Sequence, residues 1–322
     1  MTHPAVGFVL GSNFHPSELI TVSRALESNG FDSVWCSEDY FLTGGISGAA
    51  VVLGATETLK VGTGVLSCFV RHPALTAMET GTLSAAHPGR FRLGLGSGVN
   101  SWLDQQGIGH ARPLGTMRGY IESVRLLLSG AEVSGEYGGF TFDKVQLAFP
   151  PAEVAPVYIG ATGPKMTALT GEIADGLLLS VFSTPEFVGT QSGLMAAAGS
   201  GADTPISTFA LFSLADTVEE ARLKARPVVA MYLAAGEPGP MTGAIGINEE
   251  LAELRKGGAE ALARDMPDSW IDALTISGDL DSCLHRMAEL GAAGCGEVAL
   301  APISVDTMVE DIGRLGAAMK TW

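Results

Sequence analysis

Short apolar runs of strand length alternate along this chain with longer segments whose apolar positions recur at helical spacing. Val6 to Leu10 reads as a first strand, followed by a helix from Pro16 to Asn29, with proline near its start and Gly30 past its end. The same reading gives strands at Asp32 to Ser37, Leu59 to Leu66 and Phe91 to Gly96, with helices at Ile46 to Glu57 and from Pro73 to about His87. Residues 100 to 129 read as helix in two pieces. Pro156 to Gly160, Gly176 to Ser180, Ile206 to Leu214 and Glu297 to Pro302 complete eight strands, each of the last four beside a helical segment. Most strands are continuous apolar runs, as a parallel sheet buried on both faces requires.

Eight strands interleaved with helices predict a (β/α)₈ barrel, an open doubly wound sheet being the structural rival. Two stretches do not fit the repeat. Residues 131–147 contain two β-rich runs flanking Gly138-Gly139, a hairpin signature, and read as an insertion. Residues 236–273 combine a Gly/Pro-rich loop with a charged, exposed helix expected from Asn248 to Asp265. No composition break divides the chain, so one barrel domain over residues 1–322 is expected, carrying these two insertions.

Composition sharpens this picture. The chain has 322 residues, 46% hydrophobic and 17% charged, which suits a large buried core. Its 19 basic and 35 acidic residues give a net charge of −16, so phosphate backbones and anionic membrane surfaces are poor partners, and no nucleic-acid binding is expected. The first apolar run is too short for a signal peptide and no run reaches membrane-spanning length. Cys36, Cys68, Cys283 and Cys295 form no CxxC pair, which suits reduced thiols in a cytoplasmic protein.

In such a barrel, chemistry sits where strands end. After the second strand come Glu38, Asp39 and Tyr40, two carboxylates and a phenol; the acids read as a helix cap or solvated loop edge, or as a pocket wall, where like-charge proximity would raise one carboxyl's pKa. After the third come Ser67 and Arg71-His72-Pro73, the histidine read as shaping a helix entry or as catalytic. After the fifth come Gly160, Ala161, Thr162 and Gly163, running straight into a helix that begins with Pro164. Small residues let a ligand approach the backbone, and a helix start offers unpaired N–H groups, so this is a candidate phosphate site on an otherwise acidic protein. Gly62 and Gly64 inside the third strand point to a bulge or a flat ligand against the backbone. Gly94 to Gly98 lacks the dinucleotide spacing, no metal-ligand spacing of histidines occurs, and no GxSxG elbow is present.

At these residues the chain resembles the bacterial luciferase-like superfamily, nearest to its coenzyme F420-dependent methylenetetrahydromethanopterin reductase-like branch. The stretches that carry the resemblance are GFDSVWCSEDYF (30–41), VGTGVLSCFVRHPALTA (61–77), GRFRLGLGSG (89–98) and PVYIGATGPKMTALTGEIADGLLLS (156–180). The resemblance implies a luciferase-like barrel and a bulge with a non-prolyl cis peptide in the third strand, backing a tricyclic ring. That bulge maps to Gly64 and Val65, with Leu66 beside it. It also implies a cofactor phosphate at Gly160 to Gly163, a ring or ribityl neighbour at Gly98, and a homodimer. Relatives carry an acid followed by His where this chain has Glu38 and Asp39, so the histidine proton donor does not carry over. The proton-donor Glu of the sugar-phosphate dehydrogenase branch falls on Val99, and Val99 with Trp102 suggests an apolar mouth.

The expected function is therefore coenzyme F420-dependent hydride transfer to or from a small organic substrate, with Glu38, Asp39 or Tyr40 as proton donor. Two other readings stay open: an FMN-dependent monooxygenase on the same barrel, and a cofactor-binding barrel without catalysis. Substrate specificity is expected to reside in residues 236–273.

Overall fold

Eight parallel strands close on themselves in the computed structural model, which describes residues 3–11, 14–201 and 203–322. In chain order the strands are β1 (Ala5–Leu10), β2 (Ser33–Cys36), β3 (Lys60–Thr63), β4 (Leu66–Ser67), β5 (Phe91–Gly96), β6 (Val133–Tyr137), β7 (Phe140–Val145), β8 (Val157–Gly160), β9 (Gly176–Leu179), β10 (Ile206–Leu214), β11 (Ile276–Gly278) and β12 (Glu297–Pro302). The ring runs β1-β2-β3-β5-β8-β9-β10-β12 and back to β1, with β4 continuing the path of β3 against β5. Outer helices return the chain between strands. The fold is the expected (β/α)₈ barrel with insertions.

Alternation along the strands separates two cores. Outward residues such as Phe8, Val34, Val61, Leu93, Ile159 and Leu300 join the large layer between sheet and helices. Inward residues Val9, Trp35, Tyr158, Leu178 and Ala299 pack inside the barrel with Val65 and Phe209. Glycines make room for the large inward rings. A Cβ on Gly62 would lie 2.4 Å from the Trp35 ring, and one on Gly176 would lie 2.3 Å from Tyr158. The Gly62 that hinted at a ligand is thus occupied by a packing duty.

Helix starts follow the sequence signals. Thr184, Thr217 and Asp279 accept a backbone N–H in the first turn, and Pro73, Pro164 and Pro185 sit where a missing N–H costs nothing. His72 caps its helix, its Nδ1 accepting from Ala74 N at 3.2 Å. The hairpin β6–β7 turns through Gly138 and Gly139, both at positive φ, and that turn rests on helix Pro113–Leu128 at Gly119.

Residues 236–273 depart from expectation. The predicted single helix from Asn248 to Asp265 is two helices, Asn248–Leu254 and Gly258–Asp265, broken by a 3₁₀ turn and by Gly258 at φ +75°. A further helix, Asp268–Leu274, leads into β11. Leu251, Leu262, Met266, Trp270 and Ile271 bury themselves against Ala225, Val229 and Leu233 of helix Val218–Ala235, forming a satellite core. The charge-rich sequence hid this because its apolar positions are spread over several short elements, each of which exposes its acidic face.

Candidate active site

A cavity of about 770 Å³ opens at the C-terminal ends of the barrel strands. Its floor is the break between β3 and β4, where Gly64–Val65 is a cis peptide; Tyr40–Phe41 is a second one. The Val65 side chain rests between two glycines: Cβ atoms on Gly96 and Gly160 would lie 2.5 and 3.0 Å from its methyls. Gly98, at φ +75°, brings its loop to within 2.9 Å of the Ser67 hydroxyl, measured from the Cβ a side chain would add. Gly64, Val65 and Gly98 all line the cavity. Leu66 does not. It is fully buried, facing Gly45 in the layer between sheet and helices, so its place is in packing rather than at a ligand.

Glu38, Asp39 and Tyr40 leave β2 together and line one wall. Glu38 is buried and gripped bidentately by Arg71, Nη1 to Oε1 at 2.5 Å and Nη2 to Oε2 at 2.8 Å, while Gly45 N donates to Oε2 at 3.1 Å. That pairing, rather than repulsion from Asp39, is what surrounds the carboxylate. The Tyr40 phenol lies in hydrogen-bonding reach of Glu38 and of the Ser67 hydroxyl, and burial, with the Glu38 charge adding, pushes it up to about 12. Its ring packs edge-on to Trp102 at 5.9 Å. Asp39 is half-buried and pairs by backbone with Thr43. Across the cavity it acts electrostatically on Tyr232, whose phenol is raised by burial first and by Asp39 second.

The other end of the cavity is built by Gly160, Ala161, Thr162 and Gly163, immediately before helix Pro164–Ile173. Gly163 is the N-cap with no side chain, so the amides of the first turn are not capped from within that residue. Ten residues of aligned peptide dipoles stand behind this opening. The walls between the two ends come from Val99 and Trp102, from Val228, Met231 and Tyr232 of helix Val218–Ala235, and from Ile303 after β12. None of the lining residues lies within 236–273, so that segment reaches the cavity through the satellite core it shares with lining residues such as Leu211, Val228 and Ile303.

Sequence reasoning puts Arg71 on the right loop without a partner, since a contact across 33 positions leaves no local trace. Met231 and Tyr232 are hidden in a helix whose pattern reads as ordinary packing. Beneath the floor lies a pair it missed altogether. Arg92 of β5 donates to Glu297 of β12 at 2.7 and 3.0 Å, and Trp35 Nε1, Ser33 and Ser207 also donate to that carboxylate. Burial alone would raise the Glu297 carboxyl, but Arg92 and these hydrogen bonds hold it below the usual carboxylate range. The signal was available: a charged residue at an inward position in each of two otherwise apolar strands. Among the described residues no cluster of His, Cys, Asp and Glu could hold a metal ion, and no helix is long and apolar enough to cross a membrane.

Comparison with known proteins agrees with this geometry. The 5,10-methylenetetrahydromethanopterin reductase of Methanolobus tindarius is 32% identical over 302 residues, covering 89% of this chain and 92% of the relative. The F420-dependent glucose-6-phosphate dehydrogenase of Nakamurella multipartita is 34% identical over 202 residues, 58% of this chain and 59% of that one. Among solved structures, the coenzyme F420-dependent tetrahydromethanopterin reductase from Methanopyrus kandleri superposes with a TM-score of 0.85 at 23% identity, covering 99% of both chains. The sequence profile of the luciferase-like monooxygenases matches residues 2–296. With its barrel, its broken third strand and its cavity at the strand ends, the chain belongs to the luciferase-like monooxygenase family.

Proposed function

We propose that this protein is a coenzyme F420-dependent oxidoreductase, transferring a hydride between the deazaflavin and a small organic substrate. The observation that carries the reading is the shape of the cavity. A backbone floor at Gly64–Val65, kept open by Gly96 and Gly160, connects with an uncapped helix start at Gly163. A flat ring with a phosphorylated tail fits that combination: the ring finds a backbone surface with Val65 and the Phe209 ring beside it, and the phosphate finds backbone N–H groups and a positive dipole end on an acidic protein. The names of its relatives, two of them F420-dependent, favour the deazaflavin over FMN.

When bound, a reduced deazaflavin supplies a hydride to a substrate carbon and is left oxidised. The protein's part is position, exclusion of water and one proton for the substrate's heteroatom. Tyr40 holds a proton at its phenol oxygen, and Glu38, fixed by Arg71, orients that phenol. Asp39 is the alternative donor. Replacing Glu38 and Asp39 singly lowers turnover more than cofactor affinity; wild-type turnover in both would remove this wall from the mechanism.

The chain works as one barrel domain in a cytoplasmic homodimer. Four free, buried cysteines suit a reducing compartment. The dimer face we propose is formed by two consecutive outer helices, Gly45–Ala55 and Pro73–Ala86, which expose Val51, Leu75 and Met78 and carry Glu79 as their only charged residue. The functional reading is tested by titrating purified protein with oxidised F420 and, separately, with FMN under anaerobic conditions, following cofactor fluorescence. Micromolar F420 binding with weak FMN binding is expected. The reverse preference makes the protein an oxygen-activating flavin monooxygenase, and binding of neither removes the cofactor site.

A further inference from the structure

Once the helix-start end of the cavity is given to the cofactor's phosphate, the remaining volume over the β3–β4 break has a marked chemistry. Its walls include Val99, Trp102, Val228, Met231, Tyr232 and Ile303, four aliphatic side chains and two aromatic ones, and its neutral polar lining includes the hydroxyls of Ser37, Ser67, Ser97 and Ser180. No Lys, Arg or His is among the described residues that line the cavity, and the residues outside the description (Met1, Thr2, Ser12, Asn13 and Ala202) include none either. Arg71 approaches from behind, but both of its terminal nitrogens are engaged by Glu38. The charged side chains on the cavity wall are Glu38 and Asp39, both acidic. Asp39 makes its charge felt as far as Tyr232 on the opposite wall.

An anionic group brought into this space would lose its water, meet no counter-ion and sit beside a carboxylate; each of those effects disfavours it. A neutral apolar body loses nothing by the same transfer, and for a cation the lost hydration is offset by the Asp39 charge. We infer that the part of the substrate held over the β3–β4 break is uncharged or cationic with a mainly apolar body, and that a phosphate or carboxylate placed there is rejected. This rests on the deazaflavin reading for the division of the cavity. It separates the protein from a sugar-phosphate dehydrogenase even though a relative with that name is 34% identical over part of the chain.

The test uses the full-length protein saturated with F420 and three ketones that share one body and differ in charge: acetophenone, 4-acetylbenzoate and 4-acetyl-N,N,N-trimethylanilinium. Dissociation constants are read from the change in bound-cofactor fluorescence. The neutral and cationic ketones should bind at least about tenfold more tightly than the carboxylate, a difference of ~1.4 kcal/mol. Val99 is exposed at the mouth, so Val99→Lys folds normally and supplies the missing cation; it should recover most of the carboxylate's lost affinity. Asp39→Asn should weaken the cationic ketone alone. Equal affinity for the three ketones, tighter binding of 4-acetylbenzoate, or no saturable binding by any of them overturns the substrate class. Failure to bind F420 in the first place overturns instead the functional reading beneath it.

Discussion

Glu297 and Arg92 form an ion pair inside the barrel, below the cavity floor, with side chains only 7% and 9% exposed. A buried pair of this kind contributes little net stability over apolar packing, yet losing one partner leaves the other charge without compensation. Glu297→Gln should therefore cost about 3–5 kcal/mol in denaturant unfolding at pH 7. Replacing both residues with apolar side chains of similar volume should recover at least half of that loss; a double variant as unstable as the single one would contradict this account. The pH dependence has a definite sign. Because the folded-state carboxyl is held below its ordinary value, the contribution is complete above that value and is lost as pH falls through the lowered one. The gap between wild type and Glu297→Gln should thus close in acid, below about pH 4. Tyr40 gives the matching prediction at the cavity. Tyr40→Phe keeps the ring against Trp102 and removes only the hydroxyl, so kcat should fall by about 10²-fold while F420 affinity stays within about twofold. With the phenol raised to about 12, the wild-type kcat profile should show no alkaline limb from this group near its ordinary value of about 10. Both sites show what a sequence conceals. Tyr40 is visible because it follows a strand end, where position alone implies exposure to a ligand. Arg92 and Arg71 gain their partners only through tertiary structure, the first across the closed ring and the second between neighbouring barrel units, at separations of 205 and 33 residues.

Helix Pro164–Ile173 is the element whose start defines the anion end of the cavity, and it offers a test in which stability and binding move apart. A Cβ at Gly163 would meet nothing within 4 Å, and the residue sits at an extended backbone angle that any side chain adopts. Aspartate there is a better cap than glycine, worth a few tenths of a kcal/mol, and its charge suits the helix dipole. The same carboxylate would occupy the place of the cofactor's phosphate. Gly163→Asp should hold or raise the melting temperature while weakening F420 binding at least about tenfold, and Gly163→Ser, which caps without charge, should weaken it far less. Unchanged F420 affinity in Gly163→Asp would move the phosphate elsewhere. This helix start was legible because a strand, a run of small residues and Pro164 follow one another without interruption. The eight barrel strands were legible for a related reason: most are largely apolar runs, and Phe91–Gly96 and Ile206–Leu214 match their expected bounds. On hydrophobicity alone the third strand reads through from Leu59 to Leu66, whereas it breaks after Thr63; the glycines at 62 and 64 and the family resemblance, not the apolar pattern, point to the bulge at Gly64–Val65. Helix Asp268–Leu274 and β11 were missed because each is too short to show a period of its own.

At the scale of the whole molecule, the distribution of charge bears most directly on assembly. A chain of net charge −16 spreads its acids over nearly every outer helix, yet Gly45–Ala55 carries no charged residue and Pro73–Ala86 carries one. Leu75 and Met78 are each 51% exposed there, and Phe41 and Leu42, just ahead of the first of these helices, are 71% and 62% exposed. Exposed apolar side chains on two helices almost without charge, on an otherwise acidic protein, are the basis for the proposed dimer face. The two helices belong to consecutive barrel units, so one copy can present both to a second copy across a two-fold axis, each helix meeting its equivalent surface. Two opposing terms then set the affinity. Burial of Leu75, Met78 and Val51 favours association by about 25 cal/mol per Å² of apolar surface covered. Repulsion between two strongly acidic chains opposes it and is screened by salt over about 10 Å at 0.1 M. Sedimentation should therefore show a dimer at physiological ionic strength that dissociates more readily as salt is lowered toward 0.01 M, the reverse of an interface held by ion pairs. Leu75→Glu with Met78→Glu adds charge at the centre of the face and should yield a folded monomer with an unchanged circular dichroism spectrum. Because the cavity's lining includes neither residue, that monomer should still bind F420. A wild-type chain that stays monomeric at tens of micromolar, or a double variant that dimerises as tightly as the parent, would remove these helices from any interface.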